Sequence, residues 1–275
     1  MLYPCLWYDN NAKEAAEYYC SIFENSKITL DSPLVVHFEI DGQRIMGLNG
    51  GSNFVFNPSI SLFVTFDNEE KMVNIYDKLL EGGSAMMPMG AYPWAEKYAW
   101  ITDKYGLSWQ LMRTENPCDK KISPCFLFVN QVYQRGEEAI NLYRKIFTQS
   151  ELYSLSHYDD DPLPKGMLKH VHFSIADFPM RAMDGSNEHK FEFNEAISIV
   201  VECQNQNEID HYWDSLISDG GQESMCGWLK DKFGISWQII PYNIGSMIMS
   251  PSNGQRAMQA LLKMKKIDII SLENA

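Results

Sequence analysis

Positive charge is scarce in this 275-residue chain: 23 Lys and Arg stand against 36 Asp and Glu, for a formal net charge of -13 and a pI near 4.9. Both halves share the deficit, with 8 bases against 15 acids in residues 1–118 and 15 against 21 in the remainder. Phosphate binding draws on clustered Lys and Arg, so no nucleic-acid partner is expected. Long apolar runs are also missing. No stretch reaches the roughly 18 residues that cross a bilayer, and the opening MLYPCLWYDN lacks a basic stretch followed by an apolar one. The expectation is a cytoplasmic protein with no membrane partner. The six cysteines, Cys5, Cys20, Cys118, Cys125, Cys203 and Cys226, form no CxxC pair and read as reduced thiols. No G-x-G spacing follows a strand, so no phosphate-gripping or nucleotide-type cofactor loop is legible, and no Ser-His-Asp or activated-cysteine constellation can be assigned.

What the chain does have is apolar residues in quantity, 45% hydrophobic and 13% aromatic, enough for one large core or two ordinary ones. It also repeats itself. DKYGLSWQLM at 103–112 matches DKFGISWQII at 231–240, EAAEYYCSIF at 14–23 matches EAINLYRKIF at 138–147, and FNPSISLFVTFDN at 56–68 matches FNEAISIVVECQN at 193–205. Gly82-Gly83 matches Gly220-Gly221, and the order of pieces is the same in both halves. Self-similarity on this scale marks a duplicated architecture. The boundaries that follow are a domain over 1–116, a second over 117–247 and a helical tail over 248–275, with a linker near Thr114 to Lys121.

Each piece has a readable shape. Ala15, Tyr18, Tyr19, Ile22 and Phe23 form a helical stripe, with Asn11 as the expected cap and Glu14 at the capping-box position. LVVHFEI and RIMGLN read as strands joined by an Asp41-Gly42 hairpin turn. A second unit follows: strand SISLFVTF, a helix from about Glu69 to Leu80, a short strand near Ala85, then strands YAWITD and SWQLM. Each half thus holds two strand-helix-three-strand units, four in all. In the last strand of each half Gln110 or Gln238 is the polar residue of an otherwise apolar segment. The segment SAMMPMGAYPWAEKYA, about ten residues longer than its counterpart QESMCG, reads as an apolar loop over 86–99, either a lid or an interface.

This arrangement resembles the vicinal-oxygen-chelate superfamily of glyoxalases and bleomycin-resistance proteins, and most closely its PhnB-like branch, often labelled 3-demethylubiquinone-9 3-methyltransferase. The phrases carrying the resemblance are LNGG, FNPSIS and DKYGLSWQL in the first half and FNEAIS, CGWLKDKFGISWQI and MQALLKMKKIDIISLENA in the second. It implies an α+β fold of two tandem glyoxalase-like domains, each two βαβββ units whose curved mixed sheets form a cleft. Metal-dependent members bind their ion with residues from the first and last strand of each unit, His or Gln on the former and Glu on the latter. Carried over, those positions fall at Tyr3 and Ser123, Ser61 and Ser198, Gly47 and Ala182, and Gln110 and Gln238. None is a carboxylate or an imidazole. A divalent ion needs several donors, at least one usually anionic, so neither a metal nor a cofactor is expected. The cleft candidates are Gln110, Gln238, Ser61, Ser198, Tyr3, Trp100, Trp228 and Cys226. The glutamines either contact a ligand or satisfy neighbours inside the sheet. His37 with Glu39, and His170 with His172, are alternating pairs that read as a metal arm or as the polar face of a half-buried strand. Cys226 reads as a reactive thiol or a structural one.

The leading expectation is a metal-independent binder of a small polar or aromatic metabolite. The alternatives are an enzyme, either the methyltransferase of the family label or a divergent metal-dependent lyase or dioxygenase, and a scaffold that has lost its cleft. The halves are expected to pair as an internal pseudo-dimer, with a further homodimer left open.

Overall fold

A computed structural model of the chain describes residues 1–115 and 122–275. Cys118 and most of the linker expected over 114–121 lie outside the described residues. The chain builds four modules of one design. The first comprises β1 (Leu2–Tyr8), α1 (Ala12–Ile22), β2 (Lys27–Asp31), β3 (Val35–Ile40) and β4 (Gln43–Asn49); the second comprises β5 (Ile60–Phe66), α2 (Glu69–Leu80), β6 (Ser84–Tyr92), β7 (Ala95–Thr102) and β8 (Ser108–Arg113). The third has β9 (Ile122–Phe128), α3 (Gly136–Ile146), β10 (Glu151–His157), β11 (Leu168–Ile175) and β12 (Phe178–Asp184), and the fourth β13 (Ile197–Cys203), α4 (Gln206–Ile217), β14 (Gln222–Glu223), β15 (Trp228–Lys230) and β16 (Ser236–Pro241). In every module the helix is a crossover, and the first strand pairs in parallel with the last.

Residues Pro4–Glu192 form one compact unit, and Met1–Tyr3 with Phe193–Ala275 form another. Within the larger unit the second and third modules share an eight-stranded sheet, ordered β10-β11-β12-β9-β5-β8-β7-β6. The join is the antiparallel pair β5 with β9, in which Ser61 faces Cys125 and Phe63 faces Ser123. Both central strands are buried along their whole length, which explains their near-continuous apolar sequences. The smaller unit carries the sheet of the fourth module, and Met1 lies along β13, where Glu202 N–H donates to Met1 O at 2.9 Å. Three short helices, α5 (Ile244–Ile248), α6 (Gly254–Leu261) and α7 (Ile269–Glu273), complete it. The segment between α6 and α7 is pinned to the fourth module by Cys226 N–H to Met264 O (2.7 Å) and Gly227 N–H to Lys265 O (2.8 Å).

The repeated phrase owes much of its form to one carboxylate. Asp103 is 3% exposed and accepts from Tyr105 N–H (2.8 Å), Leu107 N–H (3.0 Å), Trp109 Nε1 (2.8 Å) and the hydroxyl of Tyr19 (2.7 Å). Asp231 does the same for Phe233 N–H, Ile235 N–H and Trp237 Nε1. The intervening turn needs Gly106 and Gly234, whose φ values are 86° and 87°. Aspartate, glycine and tryptophan are therefore a folding device.

Local expectations meet three corrections. Asn11 does not cap α1: its side chain makes no capping bond, and Ala12 N–H donates instead to Asn49 Oδ1 at 3.0 Å, from the end of β4. Glu14 accepts from the Tyr105 hydroxyl rather than closing a capping box. The third module repeats the arrangement, with Gly136 N–H donating to Asp184 Oδ1 from the end of β12. By contrast α2 and α4 are capped locally, by Asn68 and Asn205. The third correction is that 86–99 is no loop. It is the β6–β7 hairpin, with three register irregularities absorbing the Met-Pro-Met-Gly stretch. The Asp41-Gly42 turn is as expected, with positive φ at both residues (48° and 76°), as a type I′ hairpin demands. Among the described residues no helix is long and apolar enough to cross a membrane.

Candidate functional site

Strand alternation puts the helices on one face of each sheet and the candidate polar residues on the other. On the shared sheet of the second and third modules, the open face is built from Ser61, Phe63 and Thr65 on β5, Ser108, Gln110 and Met112 on β8, and Ser123 and Cys125 on β9. Gln110, 1% exposed, donates from Nε2 to Ser61 Oγ at 2.7 Å and accepts at Oε1 from the Tyr98 hydroxyl at 2.7 Å. Trp100 is the cross-strand partner of Gln110 and donates its indole N–H to Ser108 Oγ at 2.7 Å. Phe63, Tyr98 and Cys125 form a packed cluster, covered by Met87, Tyr92, Trp100, Met112 and Met183. Three of the predicted residues, Ser61, Gln110 and Trp100, thus come together, in a setting already filled by side chains.

The position expected at Ala182 needs a correction of one residue. β12 pairs with β9 so that Arg181 lies beside Cys125, while Ala182 lies beside Phe126. A shift of one residue exchanges the faces of a strand, so Arg181, not Ala182, occupies the open face. Its guanidinium carbon stands 4.3 Å from the centre of the Phe63 ring, and Nη1 is 3.4 Å from His170 Nε2. The first module shows the same offset: Gly47 faces α1, where an added Cβ would meet the Cβ of Ala12 at 3.0 Å, and Met46 is the residue beside Cys5.

The electrostatics of this face are those of a neutral site with one cation. Burial, then the charge of Arg181, holds His170 down to about 3 and His172 to about 4, so both rings are neutral at pH 7. Burial pushes the Cys125 thiol up to about 12 despite the nearby Arg181 and Gln110, which keeps it in the thiol form at pH 7. The buried carboxylates among the described residues are Asp103, Asp184 and Asp231, and each holds N–H donors elsewhere. Serine, amide and guanidinium do not fit a divalent ion: no anion offsets its dehydration, and the Arg181 charge opposes it. No group of three or more His, Cys, Asp or Glu suited to a metal occurs among the described residues.

The fourth module presents the matching face in the smaller unit. Gln238, 5% exposed, donates from Nε2 to Ser198 Oγ at 2.9 Å, and Trp228 is its cross-strand partner. Tyr3 donates its hydroxyl to Glu202 Oε1 at 2.8 Å; Glu202 shares the face of Ser198, so a carboxylate does stand on this face, four residues from the family position. Cys226 precedes β15 in left-handed backbone (φ 61°), and burial raises its pKa, which is the setting of a structural thiol. His37 is likewise lowered to about 4, and its Nδ1 accepts from Arg44 Nε at 3.3 Å.

Sequence reasoning missed Tyr98, Arg181 and Cys125. The signal for Arg181 was a lone cation inside the apolar strand FPMRAMD; Tyr98 and Cys125 carry no local mark, since only strand pairing brings them to Gln110.

The model of the family described as 3-demethylubiquinone-9 3-methyltransferase matches residues 1–112 and again 120–240. Among solved structures, a putative 3-demethylubiquinone-9 3-methyltransferase, PhnB protein, from Bacillus cereus is 34% identical, over 40% of this chain and 96% of its own, with a TM-score of 0.38. Glyoxalase I from Zea mays is 12% identical over 88% of this chain and 92% of its own, with a TM-score of 0.55, so the two share a fold. A glyoxalase-related enzyme from Fulvimarina pelagi is 14% identical over 43% of this chain and 94% of its own, with a TM-score of 0.35. No curated protein matches.

Proposed function

This chain belongs to the 3-demethylubiquinone-9 3-methyltransferase family, and we propose that it binds a small polar or aromatic metabolite directly, without a metal, on a glutamine-lined sheet face. The observation that carries this reading is the chemistry at the family's ion positions. Ser61, Gln110, Ser123 and Arg181 occupy them in one sheet, and Ser198 with Gln238 repeats half of the set in the other. A neutral amide, hydroxyls and aromatic neighbours are the elements of a pocket that orients an organic ligand by hydrogen bonds and stacking.

The test joins two measurements on protein dialysed against chelator. Elemental analysis should find Zn, Ni, Mn and Fe far below stoichiometric, and a thermal-shift screen of small phenols, carbonyl compounds and carboxylates should give stabilising hits without added metal. Near one equivalent of metal, lost in Gln110→Ala or Gln238→Ala, would refute the proposal, as would hits that appear only when a divalent ion is supplied.

A further inference from the structure

The two glutamines differ in how their surroundings use them. In the second module the residues around the glutamine are engaged with one another: Tyr98 donates to Gln110 Oε1, Gln110 to Ser61, and Trp100 to Ser108, while the atoms of this face that make no hydrogen bond among the described residues, Thr65 Oγ1 and Arg181 Nε, lie outside that group. In the fourth module the aligned residues leave two oxygens open. Gln238 makes its bond to Ser198 through Nε2, and its Oε1 receives no donor among the described residues. Ser236, aligned with Ser108 and 1% exposed, has a hydroxyl with no partner there. Trp228, aligned with Trp100, does not reach it as Trp100 reaches Ser108. The cause is visible in the chain. The residue aligned with Tyr98 is Cys226, which has no hydroxyl and whose backbone turns left-handed to donate to Met264.

A buried hydroxyl without a partner, as at Ser236, is unfavourable and rare unless something else satisfies it, whereas Gln238 Oε1 is an unpaired acceptor that is not sealed from the surface. The two open oxygens are neighbours. Gln238 leans along its strand to Ser198, and Ser198 is the parallel partner of Ser236. Trp228, half-buried, stands across from Gln238 on the adjoining strand and presents an aromatic wall. We propose that the Gln238, Ser236 and Trp228 face of the fourth module is the binding site, that it takes an aromatic ligand bearing two O–H or N–H donors, and that the Gln110 face is closed by its own Tyr98 and Trp100. This assignment rests on the metal-independent binding proposed above and gives it a location and a ligand chemistry.

The experiment uses the full chain, labelled with ¹⁵N, and three probes that differ only in donors: resorcinol, 3-methoxyphenol and 1,3-dimethoxybenzene. Ser236 and Gln238 stand two residues apart on β16, about 6.6 Å along the strand, and two meta hydroxyls diverge from one ring toward both. Side-chain amide signals are assigned with Gln238→Glu and Gln110→Glu, and the indole signal with Trp228→Phe. Resorcinol should shift the Gln238 amide and the Trp228 indole and leave the Gln110 amide in place. Each O-methylation should weaken binding roughly tenfold or more, because a site built for a donor rejects the analogue that lacks it. Ser236→Ala should bring resorcinol to within about threefold of 3-methoxyphenol, since the second hydroxyl then has no acceptor. Equal affinity for all three probes overturns the donor assignment. Shifts at Gln110 with Gln238 unmoved overturn the location but leave metal-independent binding standing. Shifts that require added zinc overturn that binding instead, and the absence of any shift at either glutamine overturns both.

Discussion

Asp103→Ala is the substitution whose cost can be worked most directly from the structure. The carboxylate accepts four hydrogen bonds of 2.7–3.0 Å, and two of the donors, the Tyr19 hydroxyl and the Trp109 indole N–H, belong to side chains with 0% exposure. Burial raises the pKa of Asp103 and these donors hold it down. An unmatched buried donor costs about 1–3 kcal/mol. Tyr19 and Trp109 are fully buried, whereas the Tyr105 amide lies in a half-exposed turn, so the sum should be about 3–5 kcal/mol. That is a large part of the ~5–15 kcal/mol that keeps a domain folded. Asp103→Asn should cost less, because its carbonyl can still serve the two backbone amides. The coupling decides the mechanism. In a Tyr19→Phe background one stranded donor is already gone, and Asp103→Ala should cost about 1–2 kcal/mol less than in the parent. Urea unfolding followed by circular dichroism and tryptophan fluorescence measures all five proteins. A single-mutant loss under about 1 kcal/mol, or strictly additive effects, would refute the idea that this carboxylate organises the repeated turn.

Three other outcomes are expected. Tyr98→Phe removes the donor to Gln110 Oε1 and should cost about 1–2 kcal/mol by chemical denaturation, with no such loss if the amide finds water instead. Acid should destabilise the protein before its carboxylates titrate. His170, His37 and His172 sit at about 3, 4 and 4 against an ordinary 6.5, so between those values and 6.5 the unfolded chain binds more protons, and stability present above pH 6.5 is lost as pH falls, by at most about 1.4 kcal/mol per unit for each ring. The raised Asp103 and Asp184 act in the opposite sense at the acid end, and a urea midpoint unchanged from pH 7 to pH 5 would contradict the histidine assignment. Finally, a fragment of residues 1–116 exposes the edge of β5 that β9 covers in the full chain, so it should self-associate or aggregate in sedimentation velocity, and a stable monodisperse monomer would count against that.

Much of this fold is a matter of local period and of repetition, and such features are carried by the chain itself. The alternation of SISLFVTF and SWQLM, the helical stripe of Ala15, Tyr19 and Ile22, and the Asp41-Gly42 turn each depend on neighbours within a few residues, and the duplicated phrases multiply them into four modules. The family resemblance, the α+β class and the polar face of Gln110 and Gln238 were legible for the same reason. What the sequence left open depends on partners far away in the chain. Asn49 caps α1 in place of Asn11 because parallel pairing of β4 with β1 carries it to the helix start. Arg181 rather than Ala182 faces Phe63 because pairing with β9 sets the register, and a period of two turns a one-residue slip into a change of face. Tyr98 closes the Gln110 carbonyl while Cys226, in the aligned place, leaves that of Gln238 open: the substitution is plain in the sequence, but its consequence exists only once the last two strands of each module lie side by side.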